Sequence, residues 1–226
     1  MLTYPNEMGC VAGLVENTNG ICVTPSAVGC TNNPLNLGTV SFTAGTAITI
    51  VGNGVSQIWS RPVTATGCQK ETFNSGSIGS ANADCRKNEG YAGDFYSGCA
   101  AFRYHAQLCP PPWRVPSVFD AANVAIFLGC PVSGNDEVCV KKFVSIWGGE
   151  FTGELEYPNE HVWANWTGSL WINDYHYCDE TKDDRGGVLR WTNDAGYFGH
   201  GQYWWFNWYG WLKLTSGSVL RCVRDN

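Results

Sequence analysis

His176, Cys178 and Asp179 stand close together, and His200 follows a little further on. Imidazole, thiolate and carboxylate are transition-metal ligands, and alternate positions of a strand share one face. The same residues on a loop have nothing to make them converge, so this set is noted rather than preferred. The acid pairs Asp179-Glu180 and Asp183-Asp184 have the side chains hydrolases use, yet adjacent carboxylates on a Gly-rich loop are ordinarily just solvated. No GxSxG, HExxH, P-loop or GxGxxG occurs anywhere in the chain. The expectation is therefore that the protein is not an enzyme. His105 and His161 are read as ordinary hydrogen-bonding side chains.

The densest chemistry is aromatic. The run "YWWFNWYGW" places Tyr203, Trp204, Trp205, Phe206, Trp208, Tyr209 and Trp211 around a single Asn207. Such a run is buried, presented to a partner, or both by turns. Across 226 residues, 44% are hydrophobic and only 15% charged, which supports a real core and excludes a disordered tail protein. A net charge of −6 without any basic stripe argues against a nucleic-acid surface. No apolar stretch has the length of a membrane-spanning helix.

Eleven cysteines are scattered without any CxxC pair, which favours disulfides over zinc. Disulfides place the chain in an oxidising compartment: extracellular, at a cell surface or displayed on a virion. "MLTYPNEMGC" lacks the basic and apolar regions of a signal peptide, so Met1 is expected to begin a processed or truncated form. Eleven is odd, so at least one thiol is free or pairs between molecules. Cys130 and Cys139 flank the turn-rich "PVSGNDEV" and are expected to pair; Cys68 and Cys85 could staple the long loop between them.

These residues need a scaffold. Residues 1–48 are rich in Gly, Asn, Thr and Pro and read as a cysteine-containing, loop-rich segment lying on a main domain of residues 49–226. "TAITIVG" and "VSQIWSRPV" around Asn53-Gly54 read as a hairpin. Residues 67–93 read as one long loop. "DFYSGCAAFRYHAQLC" suits either a helix with Phe95, Cys99, Phe102 and Ala106 on one face, or a strand ending at Cys109. "SVFDAANVAIFLG" is a helix: Ser117 caps, Asp120 sits three residues on, Gly129 ends it, and Val118, Ala122, Ala125 and Ile126 share a face. A second helix follows in "NDEVCVKKFVSIWGG", capped by Asn135, with Val140, Phe143, Val144 and Trp147 as its buried stripe. From Glu150 onward the pattern predicts only short strands and long polar, aromatic loops. Strands, two helices, then strands and loops make an α+β domain.

Three segments together carry a resemblance. "LCPPPWRVPS" (108–117), "IWGGEF" (146–151) and "SVLRCVRD" (218–225), supported by "IWSRPVTATGC", "NADCR" and "GDFYSGCA", resemble the Fibrobacter-type major paralogous domains over about residues 50–226. That family resembles C-type lectin-like folds, which implies two helices packed on a short antiparallel sheet, a long loop-rich C-terminal half, and a closing strand beside an early one. It also implies a bond from Cys109 to Cys222, tying the helical half to that closing strand. "EYPNE" (156–160) and "WIND" (171–174) resemble calcium-lectin elements, and Glu156, Asn159, Glu160, Asn173 and Asp174 could offer oxygens. Tyr157 interrupts the first element and Ile172 the second, so solvated carboxylates are preferred and no cofactor is expected.

Part of this family is similar to the variable proteins of diversity-generating retroelements. There, adenine-directed mutagenesis rewrites a C-terminal region, here about 165–222, mostly at Asn codons. Such codons do not yield Trp, so the resemblance implies that Trp171, Trp191, Trp204, Trp205, Trp208 and Trp211 are framework. The types it permits are those of Asn173, Asp174, Tyr175, His176, Tyr177, Cys178, Asp179, Asp183, Asp184, Arg185, Asn193, Tyr197, Phe198, His200, Tyr203, Phe206, Asn207 and Tyr209. Apart from Cys178 and Asp184, these are the expected ligand-binding residues, gathered on one accessible face. Tyr gives contact area at little conformational cost, as in antibody paratopes. The implied partner is a protein or glycan on another cell or surface. The alternatives are a surface or pilus-tip adhesin that does not diversify, and a run of tryptophans that is simply core.

Overall fold

A computed structural model describes residues 15–16, 22–23, 36–51, 54–68, 85–88, 90–130, 133–156, 160–162, 164–165, 167–178, 183–195, 202–214 and 216–226. Its first half contains β1 (Val15–Glu16), β2 (Cys22–Val23), β3 (Val40–Ser41), β4 (Ala44–Ile50), β5 (Val55–Ser60), β6 (Thr64–Ala65), β7 (Cys85–Lys87) and β8 (Asp94–Ser97). Helices α1 (Gly98–Arg103), α2 (His105–Leu108) and α3 (Val118–Leu128) follow, then β9 (Ser133–Asn135) and α4 (Glu137–Lys142), which runs into a π turn at Phe143–Trp147. The remainder is strand: β10 (Glu154–Glu156), β11 (Glu160–Val162), β12 (Thr167–Cys178), β13 (Asp183–Ala195), β14 (Gln202–Lys213), β15 (Gly217–Ser218) and β16 (Val223–Asp225).

The strands form small antiparallel sheets around few helices, a mixed α and β architecture. The expected hairpin is present: β4 pairs with β5, Ile50 opposite Val55. On the other edge of β5 lies β16, with Val223 opposite Trp59 and Asp225 opposite Gln57. Closing and early strands therefore lie side by side. Two larger sheets have the orders β11-β10-β15-β8-β7 and β12-β13-β14-β9. Leu37 is buried in the core and its carbonyl accepts from Gly67 N–H at 2.8 Å, so the described end of the N-terminal segment packs on the domain. The expected boundary at residue 48 falls inside β4.

Local signals for the helices hold with two corrections. Ser117 and Asp120 make a reciprocal capping box, and Gly129 ends α3 with φ 65°. The buried side of α3 is Ala121, Ala122, Val124, Ala125 and Leu128, so Ala122 and Ala125 lie on it as expected, while Val118 is half-buried and Ile126 is 46% exposed. In "AANVAIFL" nearly every residue is apolar, so periodicity alone cannot phase the helix. The cap of α4 is Asp136, whose Oδ1 accepts Cys139 N–H at 2.9 Å; Asn135 is taken up by β9, opposite Trp205. Residues 94–109 divide between the two alternatives, strand first and helix after. Ser97 at the junction accepts Ala100 N–H at 3.0 Å and caps α1.

The largest correction concerns the C-terminal half, whose described residues are mostly strand and not loop. β12, β13 and β14 are strands of 12, 13 and 12 residues. Residues 168–172 of β12 and 186–189 of β13 are covered on both faces, which erases the polar–apolar alternation that marks a half-exposed strand. Leu170, Ile172, Leu189 and Trp191 join one buried cluster with Trp59, Phe143, Trp147 and α3. Trp171 and Val188 join the other, with Tyr96, Phe102 and Leu214. Gly168 reads as a loop residue but is a strand residue under an indole: any Cβ there would collide with Trp191.

Disulfides join Cys68 to Cys85, Cys109 to Cys222 and Cys130 to Cys139, all as expected. Cys99 is also disulfide-bonded. The chain-entropy cost that a crosslink removes grows with the loop it closes. Cys109–Cys222 closes 113 residues and Cys130–Cys139 only 9. Replacing both cysteines of the long bridge by Ala should cost about 4–5 kcal/mol of unfolding free energy, against about 2–3 for the short one. Urea denaturation of the two double variants checks the order; a reversed order would mean that native packing, not loop length, sets the value of these bridges.

Candidate functional site

The three segments that carry the resemblance meet in space. Arg114 and Val223 exchange both backbone hydrogen bonds at 2.9 Å, and Cys109 is bonded to Cys222. Arg114 clasps Asp120 with both terminal nitrogens, Nη1 to Oδ2 and Nη2 to Oδ1, the latter at 2.9 Å. Asp120 also accepts Ser117 N–H at 2.6 Å, Ser117 Oγ–H at 2.8 Å and Gln57 Nε2–H at 2.5 Å. One buried carboxylate thus joins the segment before α3, the helix start and β5. Burial alone would lower the Arg114 pKa, but hydrogen bonding and charge from Asp120, with help from Asp225, leave it raised.

Arg221 anchors the third segment. Its guanidinium lies 3.9 Å from the centre of the Trp147 ring and donates to the Gly148 and Trp147 carbonyls. Thr46 Oγ1 donates to the Trp147 carbonyl as well, at 2.9 Å. Gly148 turns with φ 78°, where a β-carbon would be strained and would also meet Arg61. Burial, then repulsion from Arg61, push the Arg221 pKa down to about 9, against an opposing pull from Glu150.

From this base the candidate binding residues extend along β12–β14, and the register separates them. At one end of β13, Tyr175 lies opposite Gly186, His176 opposite Arg185, Tyr177 opposite Asp184 and Cys178 opposite Asp183. At the other, Asn193 lies opposite Trp204 and Asp194 opposite Tyr203, while Asn207 sits opposite Arg190 and, across the other edge of β14, Ser133. Gly186 and Asp194 are eight residues apart on one strand, roughly 26 Å at the usual rise. The backbone therefore places these positions in two groups, toward the two ends of β13.

Asn173 is half-buried, its N–H donating to Pro116 O at 2.6 Å, and Asn193 is half-buried too. Asp174 falls in the irregular stretch of β12, and Tyr209 in that of β14. Asp179, Tyr197, Phe198 and His200 lie outside the described residues. Of the framework tryptophans, Trp171 and Trp191 are buried, and Trp171 Nε1–H donates to Tyr96 O at 2.6 Å. Trp204, Trp205, Trp208 and Trp211 are placed by their backbone on β14. Among the oxygens considered for calcium, Glu156 and Glu160 are register partners across β10 and β11. Among the described residues, no group of three His, Cys, Asp or Glu could hold a metal. His105 Nδ1 lies 3.0 Å from Phe102 O, an ordinary hydrogen bond.

Several polar residues carry no signal in the sequence. Arg190 is paired at 2.6 Å with the fully buried Glu154. Ser169 and Ser218 share a buried hydroxyl contact at 2.7 Å. A surface cleft on the side of the tryptophan cluster brings together Tyr91, Glu150 and Asn165. Of these three, only Asn165 falls in a recognisable pattern, the glycosylation acceptor "NWT" at 165–167.

No protein-family model, curated protein or solved structure matches the chain.

Two substitutions test the base of the site. Asp120→Asn removes the charge that Arg114 needs and should destabilise by about 2–4 kcal/mol. Arg221→Lys keeps a cation but loses the planar group over Trp147, and should cost about 1–3 kcal/mol. Guanidinium denaturation measures both; wild-type stability in either variant would remove that residue from the base.

Proposed function

We propose that the chain is an extracellular or surface-displayed recognition module of C-type lectin-like organisation, whose ligand is a protein or glycan on another cell or surface. Its recognition residues are the Tyr, Asn, Asp, His and Arg positions along β12–β14, of the kind that diversity-generating retroelements rewrite. One observation carries this reading. The described tryptophans of these strands, Trp171 and Trp191, are sealed inside the core, while residues of the permitted types occupy the register positions on either side of that buried stretch. Strands locked at their middle can accept many side chains at their ends without losing register, because register is set where the faces are buried. Aromatic anchors then supply apolar contact, and amides and charges supply direction.

Replacing Tyr203, Asn207 and Tyr209 together by Ala tests the division between framework and display. The expected protein is soluble and melts cooperatively within about 1 kcal/mol of wild type, as surface substitutions do. Loss of the cooperative transition would identify the three as core and sink the reading. Flanking DNA separates the two forms of recognition: a near-identical template repeat beside a reverse-transcriptase gene supports diversification, and its absence favours a fixed adhesin.

The register pairing of Glu156 with Glu160 keeps a calcium-dependent variant in view. An ion bound there would raise the melting temperature in a calcium titration, since a ligand of the native state stabilises it by mass action. An unchanged melting temperature up to millimolar calcium would dismiss it.

A further inference from the structure

We infer that the cleft bounded by Tyr91, Glu150 and Asn165 is a second binding site, separate from the strand-borne residues, and that it takes a neutral saccharide ring. The cleft has a volume of about 600 Å³ and is lined by Tyr91, Val144, Gly149, Glu150, Phe151 and Asn165, among others. That is within the usual size range of small-molecule sites.

Its polar rim is built, not incidental. Asn165 is a non-glycine residue in left-handed conformation, φ 69°, a region asparagine tolerates better than most. It is held there by its N–H, which donates to Phe151 O at 2.8 Å. Its Oδ1 accepts the Tyr91 hydroxyl at 2.7 Å, which orients the amide and leaves Nδ2 as the donor. Across the cleft, Glu150 Oε2 accepts Ala92 N–H at 3.2 Å, so Oε1 is the remaining acceptor. Gly149 packs against Phe143 and Trp191, giving the wall a rigid backing.

A fixed amide donor, a fixed carboxylate acceptor and two half-buried rings, Tyr91 and Phe151, match a pyranose. Hydroxyls donate to Glu150 Oε1 and accept from Asn165 Nδ2, while the C–H face lies on an aromatic ring. Charge selects a neutral ring. Arg221 is buried near enough to Glu150 to feel its charge, so the carboxylate is partly balanced from within and offers a free cation little. An anionic sugar would meet that carboxylate head-on.

A neutral-glycan array and calorimetry on the full chain test the site. Wild type should retain neutral glycans that present a ring with vicinal hydroxyls. Asn165→Asp keeps Oδ1 for Tyr91 and tolerates the same backbone, but removes the donor; Glu150→Gln removes the charge. Each should weaken binding about tenfold, the usual loss for one hydrogen bond to a charged or well-oriented partner, while the variants still melt cooperatively. The control Val51→Ser, at a residue 96% exposed on the β4–β5 turn, should bind as wild type. Retention of no neutral glycan, or wild-type affinity in both cleft variants, overturns the proposal. If Asn165→Asp fails to fold, Glu150→Gln decides alone. Binding kept in both cleft variants but lost in the Tyr203, Asn207 and Tyr209 triple variant would move the ligand to the strands. That result ends the cleft proposal and leaves the strand reading standing.

Discussion

A single positive charge is buried where the helical half meets the last strands. Arg221 is almost wholly enclosed, and burying a guanidinium is costly unless every donor finds an acceptor and the charge finds a polarisable surface. Trp147 supplies the surface, and the Trp147 and Gly148 carbonyls supply acceptors. The consequence is mutual. Trp147 covers Arg221, and in that position it meets Trp59 edge-on with centroids 5.3 Å apart and Phe143 at 4.6 Å. Phe143 in turn lies 4.4 Å from Trp191. The chain of rings runs from the hairpin sheet to the middle of β13 and links the two sheets through the residue that covers Arg221.

Asp120 does the complementary work on the other side of the closing strand. Isolated, a buried carboxylate would be as costly as the buried arginine. With Arg114, Ser117 and Gln57 all donating, it becomes the point at which β5, α3 and the segment before α3 share one hydrogen-bond network. Such networks are stiff because losing any member strands the others in low dielectric. The long disulfide from Cys109 to Cys222 adds a covalent tie between the same segments.

What could be read from the chain alone was mostly local. Ser117 and Asp120 announce a helix start because the cap satisfies backbone donors within a few residues. Cys130 and Cys139 announce a bridge because the turn between them leaves little choice. The C-terminal strands were missed for a physical reason. Leu170 and Trp171 are adjacent and both buried, on opposite faces, and Gly168 and Gly186 sit where indoles cross the backbone. Adjacent apolar residues and strand glycines look like loop when only one face is imagined to be covered. The same blindness applies to the candidate site. Residue type can say that Tyr203 and Tyr175 suit a binding face, but only the register of β13 shows that roughly 26 Å of strand separates their partners. Glu154 and Arg190, or Tyr91 and Asn165, are too far apart in sequence for any pattern to couple them.

The geometry also bears on why such a scaffold could carry changeable residues. Binding is weakened by every rotor and loop that must be ordered on contact. Here the ordering is done in advance by groups sealed away from the surface: the buried indoles of Trp171 and Trp191, the Arg221 contact and the Cys109–Cys222 disulfide. Residues at the two ends of β13 can change type while the pairing between them is held by Leu170, Trp171, Val188 and Leu189, all fully buried. The cleft at Asn165 draws on the same frame from a different side, since Glu150 follows directly on the turn that Arg221 clamps. Among the described residues, the hydrogen bonds of that turn run to Thr46, Phe143 and Arg221, not to the strand ends. On the function proposed above, a rigid middle with independent extremities would let one surface vary while another keeps its shape.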